Sequence, residues 1–386
     1  MNITNVYETL VRPLETAAAV LIESAVDVFS RNPAQLTHYD IEPRGLEDLF
    51  AHPDVQTEWW YYTGHCTTES GRNFGFEFVF FKRRTDLDSL GIFPVRALAN
   101  PMYFAHFAIT DIAGETFKYE HIRSFDKPFD LPVQMSESRY YLWLGDWTIR
   151  ELDGDHLLHA TLGPGLVFDA RLQTGKPLVL NGDGSGISRK TTGASAHFSF
   201  TRMPVEGQLT VGSSREQFTG SAWMDREFGT WEQTDWDWFS VQLTDGTELM
   251  IYQFRSITCD STGTFVDREG NCIYLGSDDY QITVKSVWVS PRTGTEYPSG
   301  WHISVPRLKL EIDIEPVLRD QELDTRGTTM IIYWEGACAV TGKRGRKKVS
   351  GKAYVELVGY DRSHENPALA DFLFRDPLKR IKQFFN

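Results

Sequence analysis

Cysteine and long apolar stretches are scarce in this sequence. Four cysteines occur in 386 residues, and none of them forms a CxxC pair. So few thiols in a chain of this length fit the reduced cysteines of a cytoplasmic protein rather than a disulfide scaffold. No stretch reaches the roughly 18 apolar residues of a membrane span. The apolar run at 17–22 has no basic region before it and does not resemble a signal peptide, so we predict a cytoplasmic protein.

Positive charge is also in short supply. The 39 basic residues face 53 acidic ones, which gives a net charge of −14. A surface that follows a phosphate backbone needs the opposite sign, so we expect no nucleic-acid partner. The run at 343–348 is an exception, because it holds five Lys and Arg residues. It predicts either a solvated hairpin tip or a peripheral contact with an anionic membrane surface.

Common cofactor and metal motifs are missing as well. The sequence contains no GxxxxGK(S/T), no HExxH and no GxSxG. No two histidines have the spacing of metal ligands on one element. We therefore expect neither a bound metal nor an organic cofactor.

Aromatic residues, in contrast, are abundant: they make up 13% of the chain and include 11 tryptophans. Aromatic side chains favour strands and apolar pockets. From about residue 55 onward, apolar residues alternate with period two, as in 74–80, and turn signals such as Asp153-Gly154 and Asp245-Gly246 separate the runs. Many short strands with regular turns predict an all-β fold built from antiparallel sheets.

Three segments depart from this pattern. In 14–28, apolar residues recur at every third or fourth position, which predicts an N-terminal helix. A second helix is predicted from Ala368 onward, at the C-terminus. Segment 175–194 is rich in Gly, Ser and Thr and has no sustained periodicity, so we predict a long loop there.

Two stretches of the sequence echo one another. Thr57–Tyr62 and Thr234–Phe239 are both aromatic, and each leads through a glycine-containing turn to an aromatic–basic end. Either a β-barrel unit of about 170 residues is duplicated, or two amphipathic hairpins are alike by chance. Duplication divides the chain into an N-terminal helical extension (1–44), two barrels (45–230 and 231–362) and a C-terminal helix (363–386).

The first candidate for catalysis is a carboxylate in an aromatic strand. Glu58 opens an aromatic run that continues to Tyr62. Strand alternation puts Glu58, Trp60 and Tyr62 on one face and Trp59 on the other. Burial among aromatic rings would raise the pKa of Glu58, as a proton donor requires. The alternative is a structural glutamate at a strand end or paired with an arginine.

The second candidate lies in segment 220–231. If this segment is a strand, Asp225 and Glu227 share a face and Arg226 points away from it. Two like carboxylates in an aromatic setting can split their pKa values, so that one stays protonated. The alternative is that one of them ties a strand end to an arginine or a backbone amide.

Five segments together resemble one protein family, the AttH/CrtC group of lipocalin-like proteins. They are 52–65, 71–83, 220–232, 235–255 and 351–360, and they extend over nearly the whole globular part of the chain. The resemblance implies two consecutive lipocalin-like β-barrels. Known enzymes of this family include carotenoid 1,2-hydratases, a prenyl hydratase that acts on kievitone, and relatives that fold polyenes by cycloaddition.

The resemblance also implies roles for particular residues. The hydratases of the family protonate a prenyl double bond with a carboxylic acid, and Asp225 is the best match to that acid. Trp223 lies two residues before it in the sequence, and His197 is on the preceding aromatic strand. Glu227 stands where the carotenoid hydratases have an asparagine, which weakens the case for a carotenoid substrate.

The predicted function is that of a cofactor-independent acid–base enzyme that hydrates or cyclises a C=C bond of a hydrophobic isoprenoid-like or polyene substrate. Its predicted catalytic residues are Asp225, Glu227, His197 and Glu58, and its predicted substrate-binding residues are Trp59, Trp60, Tyr62, Trp223, Trp236 and Trp238. Two alternatives stay open, a pericyclase that relies on the shape of its pocket and a lipocalin-like protein that only binds lipophiles. Carboxylates at 225 and 227 that face solvent would favour binding alone.

Overall fold

The computed structural model describes residues 41–361, except for 87, 91–92, 98, 129, 191–192, 232–233 and 256–259. The helices predicted at 14–28 and from Ala368 onward lie outside the described residues. Within the described part of the chain the regular structure is almost entirely β-strand, with a few single-turn 3₁₀ helices, so the predicted all-β fold is confirmed. No helix in these residues is both long enough and apolar enough to cross a bilayer.

The strands are antiparallel and are numbered here in chain order. They are β1 (Thr57–Thr68), β2 (Asn73–Arg83), β3 (Ser89–Leu90), β4 (Phe93–Pro94), β5 (Met102–Asp111), β6 (Thr116–Ser124), β7 (Val133–Met135), β8 (Tyr141–Leu144), β9 (Trp147–Leu152), β10 (Asp155–Leu162), β11 (Leu166–Leu172), β12 (Val179–Leu180), β13 (Ile187–Lys190), β14 (Gly193–Val211), β15 (Ser214–Thr230), β16 (Trp236–Leu243), β17 (Glu248–Phe254), β18 (Thr262–Val266), β19 (Cys272–Gly276), β20 (Gln281–Val284), β21 (Val287–Val289), β22 (Glu296–Pro298), β23 (Trp301–Val305), β24 (Leu310–Pro316), β25 (Glu322–Asp324), β26 (Ile332–Arg344) and β27 (Lys347–Val358). The 3₁₀ helices are Gly45–Leu49, Val95–Ala97, Ser277–Asp279 and Pro306–Leu308.

The first sheet curls into a nearly closed barrel. Its strand order is β6-β5-β2-β1-β15-β14-β11-β10-β9-β8-β7, and β12 and β13 add to β14. Phenylalanine rings fill its interior: Phe78 is fully buried and meets Phe80, Phe107 and Trp147 edge-on, with ring centroids 5.4, 5.5 and 5.8 Å apart. The interior of this barrel is therefore a packed core of side chains.

The second sheet is a half-barrel with the order β19-β18-β17-β16-β27-β26-β24-β23-β20, and β25 pairs with β26. Eight neighbouring strands of this sheet, from β19 to β23, match eight neighbouring strands of the first sheet, from β6 to β10, in the order in which the chain passes through them. This is the arrangement expected of a duplicated unit. The predicted second barrel is found in part, as this half-barrel, and among the described residues no ladder joins its edge strands β19 and β20. The separate hairpin β21–β22 packs on this core instead, where Tyr297 is fully buried.

Tight turns connect the two strands of each hairpin at the positions that the sequence predicted. Gly71 lies between β1 and β2 with φ = 85°, and Gly246 lies between β16 and β17 with φ = 82°. Glycine is favoured at both positions because a Cβ disfavours the left-handed region. The basic run 343–348 likewise forms the tip of the β26–β27 hairpin. Its contact with a membrane surface stays a prediction.

Segment 175–194 differs from the predicted long loop. It contributes β12 and β13, which pair with the first half of β14. Their pairing partner is a strand of 19 residues, long enough to hold β12 and β13 along one part and β11 along another. The ladder hydrogen bonds are made by backbone groups, so side-chain periodicity was not needed for these short strands to form.

The two sheets pack against each other at what we call the inter-sheet interface. Its apolar part includes Tyr61 of β1 and Trp238 of β16. Gly75 of β2 permits close approach, because a Cβ there would lie 2.7 Å from Ala337 Cβ and 2.9 Å from Tyr354 Oη. Hydrogen bonds also cross the interface: Thr110 donates to Gln321 at 2.7 Å, Gln242 donates to the Ala222 carbonyl at 2.9 Å, and His65 Nε2 lies 2.9 Å from the Ala353 carbonyl oxygen.

Candidate active site

A cavity of about 470 Å³ lies at the inter-sheet interface. Strands β1, β2, β5, β14 and β15 form its wall on the first sheet. Strands β16, β17, β26 and β27, with the segment 328–331 just before β26, form the opposite wall. The cavity thus depends on both sheets, and each sheet alone supplies only part of its lining.

Strand β15 presents two carboxylates to this cavity. In the β1–β15 ladder, Tyr61 pairs with Asp225 and Trp59 pairs with Glu227. All four side chains line the cavity. Arg226, between the two acids, points to the opposite face and is fully buried there. The predicted alternation of this segment is confirmed, and the two carboxylates face a cavity rather than open solvent.

Asp225 is held in place by several polar side chains. Its Oδ2 lies 2.9 Å from His197 Nε2, and its Oδ1 accepts hydrogen bonds from Trp223 Nε1 at 2.7 Å and from Ser199 Oγ. Ser199 Oγ in turn accepts a hydrogen bond from Asn181 Nδ2 at 2.8 Å. Since His197 and Asp225 both line the cavity, this pair can exchange a proton with a bound molecule.

Glu227 is the second β15 carboxylate in the cavity wall. It is 1% exposed, and its Oε1 accepts a hydrogen bond from Ser195 Oγ at 2.5 Å. Glu227 also lies opposite His197 in the β14–β15 ladder, so the two strands bring three of the predicted catalytic residues together. Among the residues that the structure describes, no group of three or more His, Cys, Asp and Glu side chains is placed to hold a metal ion.

Aromatic rings form much of the remaining wall. Trp59 and Trp236 stack with centroids 6.3 Å apart, and Trp236 meets Tyr252 edge-on at 6.0 Å. Tyr61 meets Trp238 edge-on at 5.3 Å. All five rings line the cavity. The tryptophans among them were predicted to bind substrate, whereas Tyr61 and Tyr252 were not singled out in the sequence.

Trp60 and Tyr62 lie elsewhere. Both belong to the core of the first barrel, because they occupy the face of β1 opposite to Trp59. The indole of Trp60 donates a hydrogen bond to the Leu49 carbonyl at 2.7 Å, and Tyr62 Oη lies 2.7 Å from His156 Nδ1. The expectation that these two residues line the pocket is therefore corrected: their contacts are internal to the barrel.

Trp223 occupies a position behind the cavity surface. It donates to Asp225, as described above, and meets Trp238 edge-on with centroids 6.1 Å apart. Its indole was predicted to bind substrate. In the structure it acts mainly as a hydrogen-bond donor that orients the Asp225 carboxyl group.

Glu58 is also outside the cavity, in a buried ionic cluster. Its carboxylate accepts hydrogen bonds from Arg226 Nη2 at 2.5 Å, from Lys82 Nζ at 2.9 Å and from the His52 amide at 3.0 Å. Burial alone would raise the pKa of Glu58, but Arg226, His52 and Lys82 outweigh it and lower that pKa to about 2. The expectation of a proton donor is corrected to its stated alternative, a structural glutamate paired with an arginine.

Two glutamates that sequence reasoning missed line the cavity, Glu77 of β2 and Glu356 of β27. Burial, together with Glu356, raises the pKa of Glu77 well above its usual range. Burial and the nearby Asp225 and Glu227 raise the pKa of Glu356 to about 7, against a hydrogen bond from Trp236. A charged residue inside an otherwise apolar strand was the signal that could have pointed to both.

Comparison with known proteins identifies a family and solved structures of similar fold. The family model described as AttH-like matches residues 46–360. The crystal structure of an AttH protein from Nitrosomonas europaea is 28% identical, with a TM-score of 0.71, and the match covers 83% of this chain and 98% of the other. Kievitone hydratase from Nectria haematococca is 17% identical, with a TM-score of 0.65 and coverage of 86% and 98%.

A further solved structure, CghA, is 12% identical with a TM-score of 0.51, and the match covers 86% of this chain and 96% of the other. At such identities, kievitone hydratase and CghA are similar in fold. A search among curated proteins finds no match. The family model, in contrast, extends from the 3₁₀ helix before β1 to the end of the last strand. The chain belongs to the AttH-like family.

Proposed function

We propose that this protein is a cofactor-independent acid–base enzyme that hydrates or cyclises a C=C bond of a hydrophobic isoprenoid-like or polyene substrate. The observation that carries the proposal is the His197–Asp225 pair in the wall of an aromatic cavity. The two residues are on neighbouring strands, β14 and β15, so the sheet fixes their distance. A proton-exchanging pair beside apolar walls is what addition to an alkene requires.

The size and the lining of the cavity support an apolar small-molecule substrate. Its volume of about 470 Å³ falls in the range of roughly 300–1,000 Å³ that is typical of small-molecule sites. The aromatic faces of Trp59, Trp236 and Trp238 offer contact area to a hydrocarbon chain. The similarity in fold to a kievitone hydratase supports a hydratase-type reaction.

The same walls suit a cationic intermediate. Protonation of a prenyl double bond leaves a tertiary carbocation, which must be stabilised until water or an internal nucleophile adds. Indole faces attract a desolvated cation by about 0.5–2 kcal/mol each. Carboxylates of Asp225 and Glu227 add negative charge nearby. Addition of water completes a hydration, whereas addition of a second alkene or a hydroxyl group of the same molecule completes a cyclisation.

The test compares wild type with Asp225→Asn on a panel of prenylated phenols and acyclic isoprenoid polyenes in D₂O. The amide of this variant would keep the shape of the carboxyl group but could act neither as an acid nor as a base at neutral pH, so turnover should fall about 10²–10⁴-fold while binding persists. Asp169→Asn is the matched control, because Asp169 also pairs with a histidine, His159, at 2.6 Å, but on the exposed surface of β11.

Two outcomes would contradict the proposal. Unchanged turnover by Asp225→Asn with a product that carries no solvent deuterium would favour a pericyclase, whose aromatic walls act through shape. Tight binding of panel members by wild type without any product would favour a lipophile-binding protein. In both cases the cavity is used, but no acid–base step takes place in it.

A further inference from the structure

Three glutamates from three strands lie together at the inter-sheet interface, two in the cavity wall and one behind it. We call them the glutamate cluster. They are Glu77 of β2, Glu335 of β26 and Glu356 of β27. Glu335 and Glu356 lie directly opposite each other in the β26–β27 ladder. Glu77 and Glu356 line the cavity; Glu77 and Glu335 are each 1% exposed, whereas Glu356 is half-buried. The cluster therefore joins both sheets and reaches the cavity at Glu77 and Glu356.

The glutamate cluster has few partners. Neither oxygen of Glu77 has a hydrogen-bond partner among the described residues, and the same holds for Glu335 Oε2. Glu335 Oε1 accepts from Tyr61 Oη at 2.7 Å, and Glu356 Oε2 accepts from Trp236 Nε1 at 2.9 Å. These partners are a tyrosine and a tryptophan, not a lysine or arginine. Lys82 and Arg83 line the same cavity, but they form ion pairs with Glu58 and Asp88.

A buried carboxylate without a cation partner is costly, so Glu77 and Glu335 are held as neutral acids. Burial and the neighbouring carboxyl groups raise the pKa of Glu77 and of Glu335 well above the usual range. Glu356 faces Asp225 and Glu227 across the cavity, and burial together with these two anions raises its pKa to about 7. Glu356 is thus the member of the cluster that gains and loses a proton near neutral pH.

We propose that Glu356 is a second catalytic residue of this cavity, the general acid that gives its proton to the substrate double bond. The His197–Asp225 pair then takes up the proton that the attacking water releases. This assignment rests on the proposed function and names its acid. Asp225 is the less suitable acid because both of its oxygens are engaged: Oδ1 accepts hydrogen bonds from Trp223 and Ser199, and Oδ2 lies beside His197. The hydrogen bond from Trp236, in contrast, goes to Oε2 of Glu356 alone.

The proposed step balances without any further reactant. The O–H bond of Glu356 breaks while the π electrons of the alkene form a C–H bond, which leaves a carbocation and a carboxylate. A lone pair of water forms the C–O bond, and the surplus proton passes to the His197–Asp225 pair. The sum is alkene plus water giving an alcohol. Exchange with solvent returns a proton to Glu356 and removes one from the pair.

The first test needs no substrate. Infrared difference spectra of the full-length protein are recorded across a pH series, following the C=O stretch of neutral carboxyl groups. Wild type should lose one such band with a midpoint near pH 7. Glu356→Gln should lack this transition, and the control Glu315→Gln, an exposed carboxylate of β24, should keep it. The same transition in Glu356→Gln would overturn the proposal.

The second test measures turnover of the same panel in D₂O. Glu356→Gln should lose about 10²–10⁴-fold in turnover, with binding retained as judged by quenching of tryptophan fluorescence. Glu315→Gln should match wild type. Wild-type turnover by Glu356→Gln would reject the acid role of Glu356 and leave the proposed function standing. A wild-type protein that converts no member of the panel would contradict both.

Discussion

Two glutamates illustrate how the local environment decides what a carboxyl group does. Glu58 lies between the cations Arg226 and Lys82, which stabilise its ionised form. Glu356 lies near the anions Asp225 and Glu227, which destabilise its ionised form. Ionisation of the glutamate therefore stabilises the folded protein at the first site and destabilises it at the second. Each effect can be measured as a change in the free energy of unfolding with pH.

For Glu58 we predict that Glu58→Gln lowers the free energy of unfolding at pH 7 by about 3–5 kcal/mol, because Arg226 and Lys82 are left buried without their partner. The folded pKa of about 2 lies below the ordinary value of 4.5. The contribution of Glu58 is thus complete above about pH 4.5 and is lost as the pH falls toward 2. Urea unfolding at pH 7 measures the difference, and a loss no larger than that of Glu315→Gln would contradict it.

For Glu356 the sign is reversed. Its folded pKa of about 7 lies above the ordinary 4.5, so the folded state binds the proton more tightly than the unfolded chain does. Wild type should therefore lose up to about 3 kcal/mol of stability from this group between pH 4.5 and pH 7. Glu356→Gln should remove that loss and be the more stable protein at pH 8. Parallel stability profiles of the two proteins would show that the expectation is wrong.

Part of the candidate site could be predicted from local sequence. Alternation along one strand was enough to place Asp225 and Glu227 on a shared face and Arg226 on the other. Glu356 could not be found in this way, because its environment depends on β2 and β15 of the other sheet. The predicted role of Glu58 was wrong for the same reason. Alternation gave its face correctly, but the cations that pair with it come from other strands.

At the scale of elements, the approach of β2 to the second sheet depends on one missing side chain. Gly75→Ala should destabilise the protein by about 1–3 kcal/mol, since the new methyl group would overlap Ala337 and Tyr354. Gly276→Ala is the control, because the nearest atom to a Cβ there is 4.0 Å away and its φ is −83°. Thermal unfolding of both variants checks the prediction, and equal midpoints would refute it.

Elements with a strong local signal were predictable, and elements held by distant backbone partners were not. The hairpins β1–β2 and β16–β17 have alternating strands and turn glycines, and both form as expected. Strands β12 and β13 arise in a segment without periodicity, because β14 offers them free backbone groups.

At the scale of the whole molecule, we predict that both sheets unfold in a single transition. The inter-sheet interface contains an apolar cluster from both sheets and hydrogen bonds that cross it. Fluorine NMR of fluorotryptophan-labelled protein follows Trp147 in the first core and Trp301 in the second. Their native signals should disappear at the same urea concentration, and two separate midpoints would contradict this coupling.

Phenylalanine packing inside the first barrel has a consequence for how such proteins diversify. Because Phe78 and its neighbours occupy that interior, the chamber open to small molecules lies at the junction of the sheets. Met330 and Ile331, on the segment before β26, line the chamber without belonging to a strand. Mutations at such positions can change which ligand the protein prefers while both hydrophobic cores stay intact. Ligand preference can therefore evolve in this fold without loss of stability.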